Sequence, residues 1–125
     1  MIKRIININN YWKVIVYYNI DYNFFDYVEN DLLYYGTPVE RIKRIYYNMR
    51  TTAKAFTYSN AKYRVSIVGF NIHFDKYDYI NSSIHEAEHI KQAMLNYYNI
   101  PDKGENAVYT IAYIAMKMLQ KIVLN

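Results

Sequence analysis

The spacing of apolar residues changes several times along this chain, and each change marks an element. Ile2 to Ile8 reads as a short strand. Tyr11 to Ile20 is denser in aromatic and β-branched residues (Trp12, Val14, Ile15, Val16, Tyr17, Tyr18) and reads as a second, with Asn9-Asn10 as the turn. Asp21 or Asn23 can cap the next segment, where Phe24, Phe25, Val28, Leu32 and Leu33 recur at helical spacing until Gly36 ends the pattern. Thr37, Pro38 and Glu40 suit the N-cap, N1 and N3 positions of a capping box. They predict a second helix whose stripe is Val39, Ile42, Ile45, Tyr46 and Met49. The two helices make a hairpin across Gly36.

Thr51 to Tyr58 reads as a strand, Ser59-Asn60 as a turn and Lys62 to Phe70 as a further strand. In the last, Tyr63, Val65, Ile67 and Gly69 point one way and Arg64, Ser66, Val68 and Phe70 the other. With the N-terminal strands they predict a small, mostly antiparallel sheet. Asn71 to Tyr79 is a polar, aromatic connection. Asn81, Ser82 or Ser83 can then cap a helix running to about Tyr98, with Ile84, Ala87, Ile90, Ala93, Met94 and Tyr97 along one side. Asn99 to Gly104 is a turn in which Pro101 stops the helix. A final helix runs from Glu105 to about Val123, with Val108, Ile111, Ala112, Ala115, Met118, Leu119 and Ile122 recurring. No repeat or linker divides the chain, so the expectation is one α+β domain over residues 1–125.

Composition narrows the chemistry. A chain of 125 residues carries one core. It has no cysteine, which removes disulfides, thiolate zinc sites and cysteine nucleophiles. Three glycines leave no phosphate-cradling loop. Apolar runs fall short of the ~18 residues of a membrane span. No signal-like stretch follows Met1-Ile2-Lys3-Arg4, so a soluble, non-secreted, cytoplasmic protein is expected, with no membrane partner. The net charge of +4 is diffuse, and Arg41, Lys43 and Arg44 on one short helix are too few for a nucleic-acid footprint. Seventeen tyrosines accompany abundant isoleucine, asparagine and lysine. AT-rich coding favours that set, so the tyrosines do not by themselves indicate a binding surface.

The chemically pointed segment is His85-Glu86-Ala87-Glu88-His89, an H-E-x-x-H motif on a predicted helix. Four-residue spacing stacks His85 and His89 on one face, where two imidazoles can grip a zinc ion. Glu86 is placed to take a proton from water during attack on a carbonyl. A catalytic zinc needs a third protein ligand and an open position. Glu105, sixteen residues beyond His89 at the start of the last helix, is the available carboxylate if the two helices pair closely. Glu88 is its rival, although it points off the face of the two histidines. The oxyanion donor could be Tyr109, Tyr58 or His73; His73, in the loop before the motif, reads as a surface residue ahead of a fourth ligand. The same spacing also arises from histidines that simply occupy a helix surface, with Glu105 as a first-turn acid favoured by the helix dipole.

His85 to His89, with Gly104-Glu105 and Tyr109, resembles the zincin metallopeptidases of the gluzincin kind. More closely, the order of segments resembles small HExxH proteins encoded by phages and prophages of gut Bacteroidetes. That likeness starts near Trp12. It takes in Arg44, Tyr46 and Asn48, Thr57-Tyr58-Ser59-Asn60, Val68-Gly69, Asn81-Ser82 and His85-Glu86, and ends with Gly104-Glu105 and the Tyr113 region. The resemblance implies a minimal zincin-like fold, with a helical hairpin, a sheet and a second C-terminal helix around the active-site helix. It implies Zn(2+) on His85, His89 and Glu105, Glu86 as base, and hydrolysis of a peptide or related amide bond in a protein substrate. It also implies a bacterial host cell as the setting. In zincins a strand edge beside the active-site helix aligns the substrate, and the strand from Arg64 to Phe70 is the candidate. Little chain follows the last helix to form a substrate-binding domain. The alternative is therefore a non-catalytic interaction or virion-associated protein that keeps the scaffold.

Overall fold

The computed structural model describes residues 1–8, 10–72 and 75–124, with side chains to residue 120. The order is β1 (Ile2–Ile8), β2 (Trp12–Tyr18), a 3-10 turn (Tyr22–Phe24), α1 (Phe25–Tyr34), α2 (Val39–Thr51), β3 (Ala55–Asn60), β4 (Val65–Phe70), α3 (Lys76–Tyr98) and α4 (Gly104–Leu124). The four strands form one sheet in the order β1-β2-β4-β3. Two pairings are antiparallel, β1 with β2 and β3 with β4. The central pairing, β2 with β4, is parallel. A hairpin cannot make that pairing; α1, α2 and β3 supply the crossover it needs.

Side-chain alternation sorts the core into two layers. Ile15 and Tyr17 of β2 join Val65 and Ile67 of β4 beneath α1 and α2, meeting Phe25, Val28, Leu32, Ile42, Ile45 and Met49. Val14, Val16 and Tyr18 join Val68 and Phe70 on the opposite face beneath α3 and α4, meeting Ala87, Ile90, Met94, Ile114 and Met118. The arrangement is helices, sheet, helices. β2 and β4 are covered on both faces, which explains their nearly unbroken apolar sequence. From Val65 to Phe70 the expected alternation is observed, but Ser59 and Asn60 are the end of β3 rather than a turn, and residues 61–64 form the turn, with Arg64 at φ +50°. Trp12 is buried, and its Nε1 donates to Ser66 Oγ at 2.9 Å.

Several boundaries differ from the sequence reading. Asp21, rather than Asn23, caps the 3-10 turn by accepting from the Asn23 amide. The Thr37 capping box does not form: α2 begins at Val39 after Pro38, and the buried Thr37 hydroxyl finds no partner among the described residues. Gly36 does end the first helix, at φ +84°, where a residue without Cβ is favoured. Residues 51 and 52 belong to the end of α2, not to a strand, because the Thr51 hydroxyl bonds back to the Tyr47 carbonyl at 2.9 Å. α3 starts at Lys76, capped by Asp75, so Asn81, Ser82 and Ser83 lie inside the helix rather than before it. Phe24, Leu33 and Val39 of the helical hairpin, Ile84 and Tyr97 of α3, and Val108 of α4 are exposed in place of the expected burial. The Ile122 side chain lies outside the described residues. Among those described, no helix is long and apolar enough to cross a membrane.

Candidate functional site

α2 and α3 lie on opposite faces of the sheet and flank one of its two edge strands, β3. Between them is a cleft of about 730 Å³. Arg41, Arg44 and Asn48 line it from α2; Ala55 and Thr57 from β3; Asp78, Asn81, Ser82, His85, Glu86 and His89 from α3. The α3 residues recur at helical intervals, so one stripe of the helix faces the opening. The strand expected beside the histidines, Arg64 to Phe70, is instead central: β4 is paired on both sides and fully buried. The true edge is β3. It begins after α2 has run through Thr51, which the sequence reading gave to the strand.

His85 and His89 are exposed, with their Nε2 atoms 3.2 Å apart and their rings nearly perpendicular. Two nitrogens bound at ~2.0–2.1 Å to one tetrahedral ion stand roughly 3.3 Å apart. The imidazole pair therefore fits two corners of a zinc site. Glu86 is 5% exposed, and its Oε1 accepts from the Thr57 hydroxyl at 2.9 Å. That bond ties the motif's carboxylate to the edge strand. The Asn71 amide donates to the Lys54 carbonyl, which makes residues 54 and 71 a hydrogen-bonded pair. Counting along the antiparallel register, Phe56 and Tyr58 bond toward β4, while Ala55, Thr57 and Ser59 turn their amides and carbonyls outward. Lys54 and Asp78 pair at 2.7 Å at the cleft wall.

Glu105 is exposed in the first turn of α4 and does not line the cleft. Among the described residues, no three His, Cys, Asp or Glu side chains are grouped so as to hold a metal, so the structure does not gather Glu105 with His85 and His89. The acid that the 99–103 turn returns to α3 is Asp102. Asn99 takes the left-handed conformation, and the Ile100 amide bonds to the Leu95 carbonyl, folding the turn back on the helix. Asp102 then pairs with Lys91 at 2.8 Å and accepts from Gln92. Glu88, the rival ligand, pairs with Lys91 at 2.8 Å instead. Tyr109 is exposed and lines a different, largely apolar cavity with Tyr11, Met94, Tyr98 and Tyr113. Tyr58 packs toward the α1–α2 layer, its hydroxyl near the Gly36 carbonyl at 3.4 Å. His73 lies outside the described residues.

The Glu88–Lys91–Asp102 cluster has a pH signature. Asp102 and then Glu88, as hydrogen-bond acceptors, raise the Lys91 ammonium, while Lys91 holds the Glu88 carboxyl below its usual range. The Glu88 contribution is present above the ordinary carboxylate pKa and fades as pH falls through the lowered one. The Lys91 contribution is present below the ordinary lysine pKa and fades only as pH rises through the raised one. Both carboxylates are part-exposed, so solvent screens the effect. Lys91→Met should lower the melting temperature at pH 7 by about 3–6 °C and flatten the loss of stability as pH falls below the ordinary carboxylate range. Melts followed by circular dichroism test this; an unchanged acid slope in the variant would assign the loss to other groups.

Sequence reasoning missed Thr57 as the partner of Glu86, and the cleft-lining role of Arg41 and Asp78. Of the residues that carry the resemblance, Arg44, Asn48, Thr57, Asn81, Ser82, His85 and Glu86 line the cleft, whereas Tyr46, Tyr58, Ser59, Asn60, Val68, Gly69, Gly104, Glu105 and Tyr113 do not. The cations between Arg41 and Arg64 do not share one face. Arg41, Arg44 and Lys54 line the cleft, Lys43 approaches Glu40 at 3.7 Å, Arg50 stacks on Tyr22 and Tyr46, and Lys62 sits over Tyr63. Compared with known proteins, the chain matches no family model, no curated protein and no solved structure.

Proposed function

We propose that this chain is a zinc-dependent hydrolase of peptide bonds, or of related amides, with a minimal zincin-like design. One observation carries the reading: two imidazole nitrogens lie 3.2 Å apart beside a buried glutamate that an edge-strand threonine orients. His85 and His89 would hold the metal. When bound, zinc supplies Lewis acidity toward water and toward a carbonyl oxygen. Glu86 takes the water proton as the new C–O bond forms, and returns it to the amine nitrogen as the C–N bond breaks. Thr57 keeps the Glu86 carboxylate turned toward β3 and the cleft. The outward amides and carbonyls of Ala55 and Thr57 offer an extended peptide a strand to pair with. Glu105 enters as third ligand on its place in the sequence order alone, and Tyr109 as oxyanion donor on the same footing.

Metal analysis tests the reading. Protein dialysed against zinc should retain about one equivalent, and His85→Ala should lose it. Zinc that fails to bind at saturation, or binds equally to His85→Ala, would overturn the proposal. Glu105→Gln separates the third ligand: zinc affinity reduced by about tenfold or more assigns it, and unchanged affinity removes it. Stoichiometric zinc with no hydrolysis of any peptide would favour the binding role over the enzyme.

A further inference from the structure

The α2 wall of the cleft is cationic. Arg41 and Arg44 stand three residues apart, on one stripe of the helix, with Asn48 a turn further on. Neither guanidinium makes a hydrogen bond or ion pair among the described residues, in contrast to Lys54, which Asp78 neutralises. With the Lys54–Asp78 pair set aside, the lining sets two guanidiniums against the one remaining carboxylate, Glu86. A guanidinium is a planar fork matched to a carboxylate, and it holds its charge at any working pH. The cleft has the volume of a small-ligand site, so it takes a short stretch of chain. A strand paired to the outer edge of β3 sends alternate groups toward α2 and toward α3. Groups on one side then meet the histidines, and those on the other meet Arg41 and Arg44.

We infer that Arg41 and Arg44 form a subsite for a carboxylate of the bound peptide, so that the cleft selects peptides carrying that negative charge close to the bond offered to His85 and His89. The inference rests on the peptide-hydrolase reading. A chain end and an acidic side chain both present the same pair of acceptor oxygens to the arginines.

Binding to the metal-free protein, followed by nuclear magnetic resonance, tests it without any turnover. Three probes suffice: N-acetyl-pentaalanine with a free C-terminus, its C-terminal amide, and the amide with a central glutamate. At least one carboxylate probe should bind about tenfold more tightly than the neutral amide, shifting signals from residues 41–48 and 81–89. Tighter binding by the first names a chain end as the source, and by the third a side chain. Arg41→Gln with Arg44→Gln should erase the advantage; Lys43→Gln with Lys62→Gln, matched in charge and outside the cleft, should preserve it. Equal affinities, no binding by any probe, or an advantage that survives in the double-arginine variant would overturn the proposal. Inorganic phosphate binding at the arginines when no peptide does so would also overturn it. His85→Ala should keep the carboxylate preference, so failure of the metal site and failure of this subsite read out separately.

Discussion

Glu86→Gln is expected to cut peptide hydrolysis by at least about 100-fold while leaving zinc content and melting temperature near those of the parent. The amide is almost isosteric, and its carbonyl oxygen can still accept the Thr57 hydroxyl proton that Glu86 Oε1 accepts now. What it cannot do is take a proton from water. A carboxylate that moves a proton in the transition state contributes in the 10²–10⁴ range, well above what a lost surface charge would change. The measurement is turnover of a fluorogenic peptide library beside elemental analysis of the same preparation. Turnover equal to the parent, with zinc retained, would show that Glu86 is not the base. Turnover lost together with zinc would mean that the carboxylate supports the metal site rather than the proton transfer.

Gly69→Ala is expected to be the most damaging single-methyl change in the sheet. A Cβ at Gly69 would fall 2.3 Å from Phe56 Cε1 and 2.6 Å from Ile20 Cδ1. Both side chains are buried in the α1–α2 layer, so neither has solvent to move into. Gly69 lies between Phe56 of β3 and Tyr17 of β2, so relief would have to come from separating strands. Overpacking of this kind costs typically 1–3 kcal/mol, and ~3 kcal/mol is expected here given two simultaneous clashes. The urea midpoint reads this directly. Because Phe56 adjoins Thr57, the strand shift should also loosen the hold on Glu86 and reduce turnover. Adding Phe56→Leu should recover part of both losses, since the two sites share one contact. A midpoint within error of the parent would show that β3 can slide without cost.

These two residues also show where the sequence was informative and where it was not. The helical stripes were readable because each needs only local spacing: Ile42, Ile45 and Met49 bury as their intervals imply, as do Phe25, Val28 and Leu32. His85, Glu86 and His89 were readable for the same reason, since a single helix places all three. The sheet order was not. β2 and β4 have similar apolar content on both faces, and nothing within either segment states that they pair in parallel. The start of α3 is hidden in the sequence because Tyr77, Tyr79 and Ile80 have no strong helical preference, and Asp75 caps it from within a segment that reads as a polar, aromatic connection. The end of α2 was misread for a complementary reason, since Thr51 and Thr52 favour strands until a hydroxyl finds a helical carbonyl. The choice of Glu105 depended on how far the 99–103 turn wraps, and the Asn99 conformation and the Lys91–Asp102 pair decide that. Thr57, Arg41 and Arg44 meet the histidines only through tertiary placement, so no local pattern could have grouped them.

The parallel joining of β2 to β4 governs how the molecule comes together in time. Trp12 and Ser66, bonded across that seam, are separated by 54 residues, and Tyr18 reaches the Met118 carbonyl across 100. The β1–β2 ribbon and the α1–α2 pair can gather early from neighbouring segments, but neither completes the seam. Loop-closure entropy must be overcome before the central strands reward it, which predicts a slow folder for this size, with a transition state that already holds the seam. The cleft takes its walls from helices on opposite sides of that seam, so it is among the last features to exist. A chain stalled before the seam closes would carry both histidines on a helix with no opposing wall, and would display open strand edges to its neighbours at high concentration.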